Sequence, residues 1–404
     1  MKEKLSLPRG WEIKTLGDLY DITSSKRVFQ DEWKSYGVPF YRAREIVKLA
    51  QNGFVDNELF ISDEMYNEYS KKYGIPKAGD IMVTGVGTLG ICYLVKSEDK
   101  FYFKDGNIIW LKTKGNVNSR YVEYAFKSDF LRKQIDDSVG ATVGTYTIIK
   151  AKSTKIPVPP IPEQRRIVSI LDEAFAAIAR AKANAEQNLK NAAALFDCVL
   201  DSILFNKKYQ VKQLGEVCLK VEYGSSTKST SKGKLPVLRM GNIQNGRFVW
   251  DSLVYSDNEE DNKQYLLNHN DVLFNRTNSP ELVGKTAIYK SEMPAIFAGY
   301  LIRIHRKQDL LDADYLNYYL NSKMAFEYGK TVVISSVNQA NINGSKLKTY
   351  PIPLPSLKEQ QTIVRQLDAL RAETQKLEAI YQQKLLNLEE LKKSVLQKAF
   401  AGEL

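Results

Sequence analysis

The sequence has very few of the residues that build metal sites and disulfide frameworks. Its 404 residues include three cysteines and two histidines, and none of them has a partner at metal-ligand spacing. This scarcity argues against a cysteine-based zinc site and fits a reducing compartment. No apolar run approaches the roughly 18 residues of a membrane span, and the opening MKEKLSLPRGWE has no apolar core of a signal peptide. We therefore expect a cytoplasmic protein that holds no metal.

Recognisable catalytic motifs are missing as well. GVGTLG at residues 85–90 matches the dinucleotide fingerprint, but ICYLV after it predicts a strand where the fingerprint needs a helix. SPELVGKT at residues 279–286 has serine in place of the first P-loop glycine, and TAIYK at its end alternates like a strand. We interpret both segments as turns beside strands. The chain is predicted to bind a partner and to perform no catalysis.

What the sequence does contain is an excess of positive charge. It has 58 lysines and arginines against 47 acidic residues, a net charge of +11 and a pI near 9.2. Such a balance favours an acidic partner, of which nucleic acid is the commonest. Charge alone does not decide the class, because many basic proteins bind no DNA.

The sequence also contains an internal repeat. PVPPIPEQRRIVSILDE begins at Pro157, and PLPSLKEQQTIVRQLDA begins at Pro353, 196 positions later. Upstream, WEIKTLGDL at Trp11 resembles YQVKQLGEV at Tyr209. This period is too long for a solenoid, so it indicates the duplication of a globular block followed by a helix.

Two segments without glycine or proline, residues 163–204 and 357–400, predict long helices. Ser356 and Glu359 form a capping-box pattern, and Pro162 suits a first helical position. Both segments keep a heptad frame of apolar residues, small in the first and large in the second, which favours pairing with each other in one chain. Packing on the globular blocks and dimerisation between chains are the alternatives. The predicted seams are Ile167, Leu171, Ala174, Ile178, Ala181, Ala185, Ala192, Leu195 and Val199, and Ile363, Leu367, Leu370, Leu377, Tyr381, Leu388, Leu391 and Val395.

The predicted fold class is α+β. Two globular domains form a tandem pseudo-two-fold repeat, separated by two long helices in an antiparallel coiled coil. We expect the first domain at residues 1–155, the first helical spacer at 156–206, the second domain at 207–350 and the second spacer at 351–404.

Three loops in each half carry side chains suited to DNA bases and phosphates. The first loop is YRARE in the first half and LRMGN in the second. The second loop is residues 84–88 and its counterpart 275–279. The third loop is residues 138–146 and its counterpart 335–343, each with the lysines that follow. The loops keep their positions between halves but change their residues, which predicts two different half-targets; for any single residue, an ordinary solvated side chain is the alternative. The candidate DNA contacts are Arg42, Arg44, Thr84, Thr88, Thr142, Thr145, Lys152, Arg239, Asn242, Asn275, Arg276, Asn278, Asn338, Asn341 and Lys346.

The whole chain resembles the specificity (S) subunits of type I restriction–modification systems. The resemblance is carried by LPRGWEIKTLGDL, by the two proline elbows that each precede E-Q-x-x-I-V-x-x-L-D, and by the terminal LQKAFAGEL. It implies that the two domains are target recognition domains, each reading one half of a bipartite double-stranded DNA target, and that the helices set the gap.

The resemblance also implies partners. Two adenine methyltransferase (modification) subunits and restriction/translocase subunits would assemble on the chain and use S-adenosylmethionine, ATP and Mg, while this chain binds no cofactor. By the same analogy, exposed faces near Glu163, Gln164, Glu359 and Gln360 are candidates for the subunit interface. Ordinary hydrogen bonding at a helix N-terminus is the alternative role for these four.

Three other functions remain open from the sequence. A stand-alone nuclease would need metal-dependent cleavage by the isolated chain. A coiled-coil adaptor between proteins would bind no DNA even at low salt. A specificity subunit of a related system with differently arranged enzymes has no distinguishing feature in this chain.

Overall fold

The computed structural model describes residues 7–136, 144–205, 208–280, 282–336 and 339–404, with the backbone alone at residues 335, 336 and 339. The chain divides into two compact units. Unit 1 comprises Met1–Ala185 and Lys384–Leu404, and unit 2 comprises Glu186–Gln383. Each unit therefore takes part of both long helices together with one globular block, a division that cuts across the helical spacers predicted from sequence. No helix in the described ranges is long and apolar enough to cross a membrane.

The first half of the chain alternates short strands and helices before the first long helix. Its strands are β1 (Glu12–Thr15), β2 (Tyr20–Thr23), β3 (Val38–Tyr41), β4 (Phe60–Ile61), β5 (Ile81–Thr84), β6 (Cys92–Leu94), β7 (Tyr102–Phe103), β8 (Ile108–Thr113) and β9 (Lys155–Val158). Its helices are α1 (Leu16–Leu19), α2 (Ala43–Asn52), α3 (Asp63–Tyr73), α4 (Ser119–Lys127), α5 (Asp129–Asp136), α6 (Ile148–Ser153) and the long α7 (Ile161–Leu204).

The second half also alternates short strands and helices before the second long helix. Its strands are β10 (Gln210–Gln213), β11 (Cys218–Tyr223), β12 (Leu235–Leu238), β13 (Ile243–Gln244), β14 (Arg247–Phe248), β15 (Val254–Ser256), β16 (Val272–Asn275), β17 (Thr277–Asn278), β18 (Thr286–Ile288), β19 (Ile296–Phe297), β20 (Leu301–Arg306), β21 (Ile334–Ser336), β22 (Gln339–Asn341) and β23 (Pro351–Leu354). Its helices are α8 (Leu214–Val217), α9 (Glu259–Gln264), α10 (Ala313–Leu320), α11 (Lys323–Val332), α12 (Gly344–Leu347) and the long α13 (Leu357–Ala401).

Unit 1 is built on a four-stranded antiparallel sheet in the order β2-β8-β5-β6, with a smaller sheet β4-β3-β7 beside it. The central strands β5 and β8 are apolar on both faces. Helices α4 and α5 cover one face, and α2 and β7 cover the other. β5 and β6 pair antiparallel across the GVGTLG segment, which confirms the predicted turn between strands.

Unit 2 has the same plan with one sheet enlarged. Strands β11-β20-β16-β18-β14-β13 form a six-stranded sheet, and β15-β12-β19 form the smaller one. TAIYK supplies β18, so SPELVGKT also leads into a strand as predicted. Helices α10 and α11 pack on the sheet as α4 and α5 do in unit 1. The α+β class with two repeated domains is confirmed.

The long helices pair antiparallel in each unit. In unit 1, Ile167 and Leu171 near the start of α7 share a core with Leu396 and Phe400 near the end of α13. In unit 2, the pairing is between the end of α7 and the start of α13: Leu200 and Leu204 share a core with Ile363 and Leu367.

Three predicted seam positions are wrong. Leu195, Leu377 and Leu391 are exposed. Near the end of α7 the buried stripe runs through Ala192 to Leu200, with Phe196 packed beside it. A straight helix drifts against a strict seven-residue repeat, so one heptad frame does not hold along the whole helix.

Each proline elbow is held by a buried glutamine. In unit 1, the side-chain oxygen of Gln164 accepts a hydrogen bond from the backbone N–H of Asn118 (2.8 Å), and its amide donates to the carbonyl of Pro159 (2.7 Å). Tyr121 adds a hydrogen bond from its hydroxyl to the carbonyl of Pro157 (2.9 Å). Asn118 is the N-cap of α4, so Gln164 joins the start of one helix to the start of the other.

The second elbow repeats this arrangement. Gln360 accepts from the backbone N–H of Asp312, the N-cap of α10, at 2.8 Å, and donates to the carbonyls of Leu310 (2.8 Å) and Pro355 (2.9 Å). Tyr315 donates to the carbonyl of Pro353 at 2.7 Å. The glutamine recurs in both halves because buried backbone groups need partners at both elbows.

The aspartate of the repeated motif has an equally local role. Asp172 accepts hydrogen bonds from the hydroxyl of Tyr124 and, at 2.9 Å, from Arg120. Asp368 accepts one from the hydroxyl of Tyr318. Much of E-Q-x-x-I-V-x-x-L-D therefore fastens each globular block to its long helix.

Candidate nucleic-acid interface

In unit 2 three loops meet at one edge of the large sheet: the loop after β11, the loop after β16 and the loop before β20. The register pairs Tyr223 with Ile302 and Asn275 with Leu301, so these three strands reach the edge together. The loops are joined there by backbone hydrogen bonds from Gly299 to Ser225 (2.7 Å) and from Arg276 to Tyr300 (3.0 Å).

The third loop of unit 2 joins this edge through a small sheet. Strands β17, β22 and β21 pair in that order, and the side-chain amide of Asn341 donates to the hydroxyl of Thr277 at 2.8 Å. The backbone N–H of Gly344 donates to the hydroxyl of Tyr223 at 2.8 Å. The second and third loops, far apart in sequence, therefore form one surface with the end of β11.

Unit 1 has the same edge. The backbone of Gly85 donates to the carbonyl of Asn107 (2.9 Å) and accepts from the N–H of Tyr146 (2.9 Å). A Cβ at Gly85 would lie 2.7 Å from the carbonyl oxygen of Tyr146, so this approach of the second and third loops requires glycine. The hydroxyl of Ser24 donates to the carbonyl of Ile108 at 2.9 Å and brings the loop after β2 to the same place.

The first-loop arginines of unit 1 are engaged by carboxylates. Arg42 is the N-cap residue of α2 and bonds Glu45 at 3.0 Å. Arg44 contacts Glu45 and, at 2.6 Å, Glu58. Burial would raise the pKa of Glu45, but hydrogen bonds from Arg42 and Arg44 lower it below its usual value. Arg44 keeps half of its side chain exposed, so it is the better placed of the two for a phosphate.

The remaining unit 1 candidates differ in exposure. Thr88, Thr145 and Lys152 are exposed. Thr84 is fully buried, and its hydroxyl accepts a hydrogen bond from Ile91 (3.0 Å) and donates to the carbonyl of Thr88. Thr84 therefore shapes the second loop and presents no group to a base. Thr142 lies outside the described residues.

In unit 2, two asparagines predicted to contact DNA are buried. Asn242 donates to the carbonyls of Val249 and Asp251 and accepts from the N–H of Arg239 at 2.9 Å. Asn275 is fully buried and donates to the carbonyl of Leu282 at 3.2 Å. The expectation that these two amides face a base is not met, because their hydrogen bonds hold the turns of the loops.

The other unit 2 candidates reach the surface. Arg239 donates to the carbonyl of Ser252 at 2.9 Å. Arg276 donates from Nε to the carbonyl of Gly299 at 2.9 Å, and its guanidinium lies 5.0 Å from the ring of Tyr223. These two contacts fix the guanidinium plane, which suits bidentate recognition of a guanine edge.

Three polar candidates of unit 2 lie around Arg276 or on α12. Asn278 and Asn341 are half-buried and Lys346 is exposed. Asn338 lies outside the described residues. For the candidates that reach the surface, contact with DNA stays a prediction.

The subunit-interface candidates separate into two kinds. Gln164 and Gln360 are 1% and 0% exposed, so their side chains do not belong to an exposed face. Glu163 pairs with Arg166 at 2.7 Å on the surface. Glu359 caps the second long helix: Ser356 donates its N–H to the Glu359 carboxylate at 3.0 Å, which confirms the predicted capping box. Glu163 and Glu359 remain candidates.

Sequence reasoning missed part of this edge. Tyr300 is half-exposed and lines, with Arg239, a cleft of about 610 Å³. The loop after the first sheet strand, SSKR in unit 1 and GSSTK in unit 2, was also overlooked. Its signal is a run of hydroxyl and basic residues directly after the strand, at the same place in both halves.

The described residues contain no group of three or more histidine, cysteine, aspartate or glutamate side chains able to hold a metal ion. The two edges carry hydrogen-bond donors and cationic side chains at the ends of their sheets.

An ion-pair cluster supports this edge in unit 2. Arg303, buried on β20, contacts Glu222 (2.6 Å) and Asp271 (3.1 Å), and the ring of His305 lies 2.9 Å from Glu222. Burial would raise the pKa of Glu222, but hydrogen bonds from His305 and Arg303 lower it to about 2.

This lowered pKa predicts acid sensitivity. A carboxyl with a folded pKa of about 2 and an unfolded value of about 4.3 stabilises the fold above pH ~4 and loses that contribution as the pH falls toward 2. Glu222→Gln is expected to lower the free energy of unfolding by about 2–3 kcal/mol at pH 7 and by clearly less at pH 3. Denaturant unfolding at both pH values measures this, with the exposed Glu292→Gln as control. An equal loss at both pH values would contradict the assignment.

The comparisons with known proteins agree with this architecture. The family model of the type I restriction modification DNA specificity domain matches the chain twice, at residues 8–190 and 206–387. The chain therefore belongs to the family of type I restriction–modification specificity subunits.

Two relatives illustrate similarity over part of a chain. The chain is 28% identical over 306 residues to the StySPI specificity subunit of Salmonella potsdam, covering 71% of this chain and 66% of that one. It is 32% identical over 164 residues to a putative specificity subunit of Haemophilus influenzae, which covers 40% of each chain. The chain thus spans less than two thirds of the length of these relatives.

Solved structures share the fold. A chain from a study of complex assembly and conformational transition of the type I R-M system superposes with a TM-score of 0.75 at 21% identity, over 99% of this chain and 100% of the other. The HsdS subunit from Thermoanaerobacter tengcongensis gives 0.66 at 20% identity over 98% of both chains.

Proposed function

We propose that this chain is the DNA-recognition subunit of a type I restriction–modification complex, and that each unit reads one half of a bipartite target. The observation that carries the proposal is the repeated loop edge. Both units bring the same loops to the same end of the same sheet, yet the residues at equivalent positions differ, as Gly85 and Arg276 do. Two units with the same fold but different loop side chains suit a target with two unlike halves.

The long helices are proposed to set the gap between the half-sites and to dock the enzymatic subunits. At about 1.5 Å per residue, α7 with its 44 residues is roughly 66 Å long. The second helix exposes Leu377 and Ile380 in unit 2 and Leu386 and Leu391 in unit 1. Exposed apolar side chains on a charged helix favour a protein partner. Glu163 and Glu359, at the starts of the helices, are proposed to border that interface.

The partners are proposed to supply the catalysis. Two adenine methyltransferase subunits would bind S-adenosylmethionine and methylate adenine within the target, and restriction subunits would use ATP and Mg for translocation and cleavage. This chain would contribute target choice alone.

A map of N6-methyladenine tests the proposal. The chain is expressed with its cognate methyltransferase in a host that lacks other adenine methylation, and the DNA is sequenced by single-molecule kinetics. A new gapped motif with two unlike halves is expected. A well-expressed complex that leaves the host DNA unmethylated, and that binds random duplexes without salt dependence, would contradict the proposal.

Arg276→Ala tests the assignment of unit 2 to one half-site. Removing a bidentate guanine contact is expected to cost about 1–3 kcal/mol and to relax one position of one half-site, with the other half unchanged in the methylation map. Gln308→Ala is the control, because Gln308 is exposed in the turn after β20, at the other end of that strand from the loop edge. Uniform weakening on all sequences would mean that Arg276 anchors a phosphate.

A further inference from the structure

Unit 1 has an apolar groove at the edge where its loops meet. The groove has a volume of about 370 Å³ and is lined by Val86 from the second loop and by Thr145, Ile148 and Ile149 around the start of α6. Ile149 is 81% exposed, an unusual state for an isoleucine on a helix that packs on the core.

The geometry of α6 holds Ile149 outward. The hydroxyl of Thr147 accepts a hydrogen bond from the backbone N–H of Lys150 and caps the helix. Ala151, two positions after Ile149, is fully buried in the core of unit 1. Since residues two apart on a helix point to nearly opposite sides, Ile149 cannot turn inward without withdrawing Ala151.

The repeat indicates that this isoleucine is not required for packing. In unit 2, Asn343 caps α12 as Thr147 caps α6, and the buried Leu347 stands where Ala151 stands. Counting back from these residues, Ile148 and Ile149 correspond to Gly344 and Ser345. Ser345 is exposed, so the same fold is built with a polar residue at this position.

The surroundings of the groove select its occupant. Thr145 lines the groove and is exposed, and Lys152, three positions after Ile149 on α6, is an exposed cation. Within a polar, basic face proposed to meet DNA, the groove would meet base edges, and the methyl group of thymine is the apolar group that the major groove presents.

We propose that Ile149, together with Val86 and Ile148, reads the methyl group of a thymine in the half-site of unit 1. This inference rests on the proposed function, because it requires the loop edge to face the DNA. It also assigns different chemistry to the two readers: an apolar contact to thymine in unit 1, and the fixed guanidinium of Arg276 in unit 2.

The test replaces thymidine with deoxyuridine, which removes only the methyl group. The full chain is assembled with its methyltransferase, the target is taken from the methylation map, and each thymine of both half-sites is replaced in turn in a duplex. Wild-type protein is expected to bind one uracil duplex about 4-fold to 10-fold more weakly, the effect of one buried methyl or methylene group. Ile149→Ser is expected to bind the thymine and uracil duplexes equally. Ser345→Ala, at the equivalent position of unit 2, is the control and should keep the discrimination.

Four outcomes would overturn the inference. If no thymine in either half-site is sensitive to its methyl group, or if Ile149→Ser keeps the discrimination, Ile149 does not read thymine, while the gapped target would leave the proposed function intact. If Ile149→Ser instead weakens assembly with the methyltransferase at unchanged discrimination, the groove belongs to a protein interface. A complex that prefers no sequence would remove the proposed function, and this inference with it.

Discussion

Inserting four residues into each long helix is expected to move methylation from the original gapped target to one whose gap is longer by one or two base pairs. Four residues add about 6 Å and slightly more than one helical turn. Base pairs are about 3.4 Å apart, so the added length corresponds to one or two of them. The insertions belong between Ala185 and Glu186 in α7 and between Gln383 and Lys384 in α13, where the two units divide. A four-residue insertion is a stutter, which a coiled coil absorbs by local unwinding.

The methylation map of the host DNA measures the result, and the original spacing should lose its methylation. An insertion of the same length after Glu292, in the exposed turn between β18 and β19 of unit 2, is the control and should leave the gap unchanged. If the helix variant folds and still methylates only the original spacing, the long helices do not act as the ruler.

Gln360→Leu is expected to lower the free energy of unfolding by about 3–5 kcal/mol. The side chain is fully buried and satisfies the N–H of Asp312 and the carbonyls of Leu310 and Pro355. Leucine has a similar size but satisfies none of these groups, and each buried group left without a partner costs about 1–3 kcal/mol.

Denaturant unfolding measures the loss, and hydrogen exchange should locate it in the first turn of α10. Gln361→Leu is the matched control, because Gln361 is the exposed neighbour on the same helix and should change stability by less than about 0.5 kcal/mol. Equal stability of the two variants would mean that the elbow is held by packing alone.

The repeat and the long helices could be predicted from sequence because their signals are local and regular. Both helices begin and end within two residues of the predicted bounds. The capping box at Ser356 needs residues three apart, and the turns around Gly85 and Gly284 follow from neighbouring strand patterns. The positions of the loops were predicted for the same reason, since they follow strands at matching places in both halves.

Residue roles within the loops were harder to predict, because polarity does not reveal burial. Thr84, Asn242 and Asn275 have the same chemistry as base-reading residues, and the tertiary structure uses them to hold turns. Tyr300 could not be recognised as a candidate from sequence, because it is a single tyrosine in a strand-like segment. Only the fold places it at the start of β20, beside Arg239 and Arg276.

The sequence by itself determined that the chain is two copies of a globular block and a helix, because spacing and heptad periodicity are properties of a linear string. The tertiary structure decided which partner each buried group takes. At equivalent positions of the two sheets, Asp80 accepts from the indole of Trp110 at 2.9 Å, whereas Asp271 accepts from Arg303 at 3.1 Å. It also decided which polar side chains remain free for a ligand, because burial depends on contacts between residues far apart in the chain.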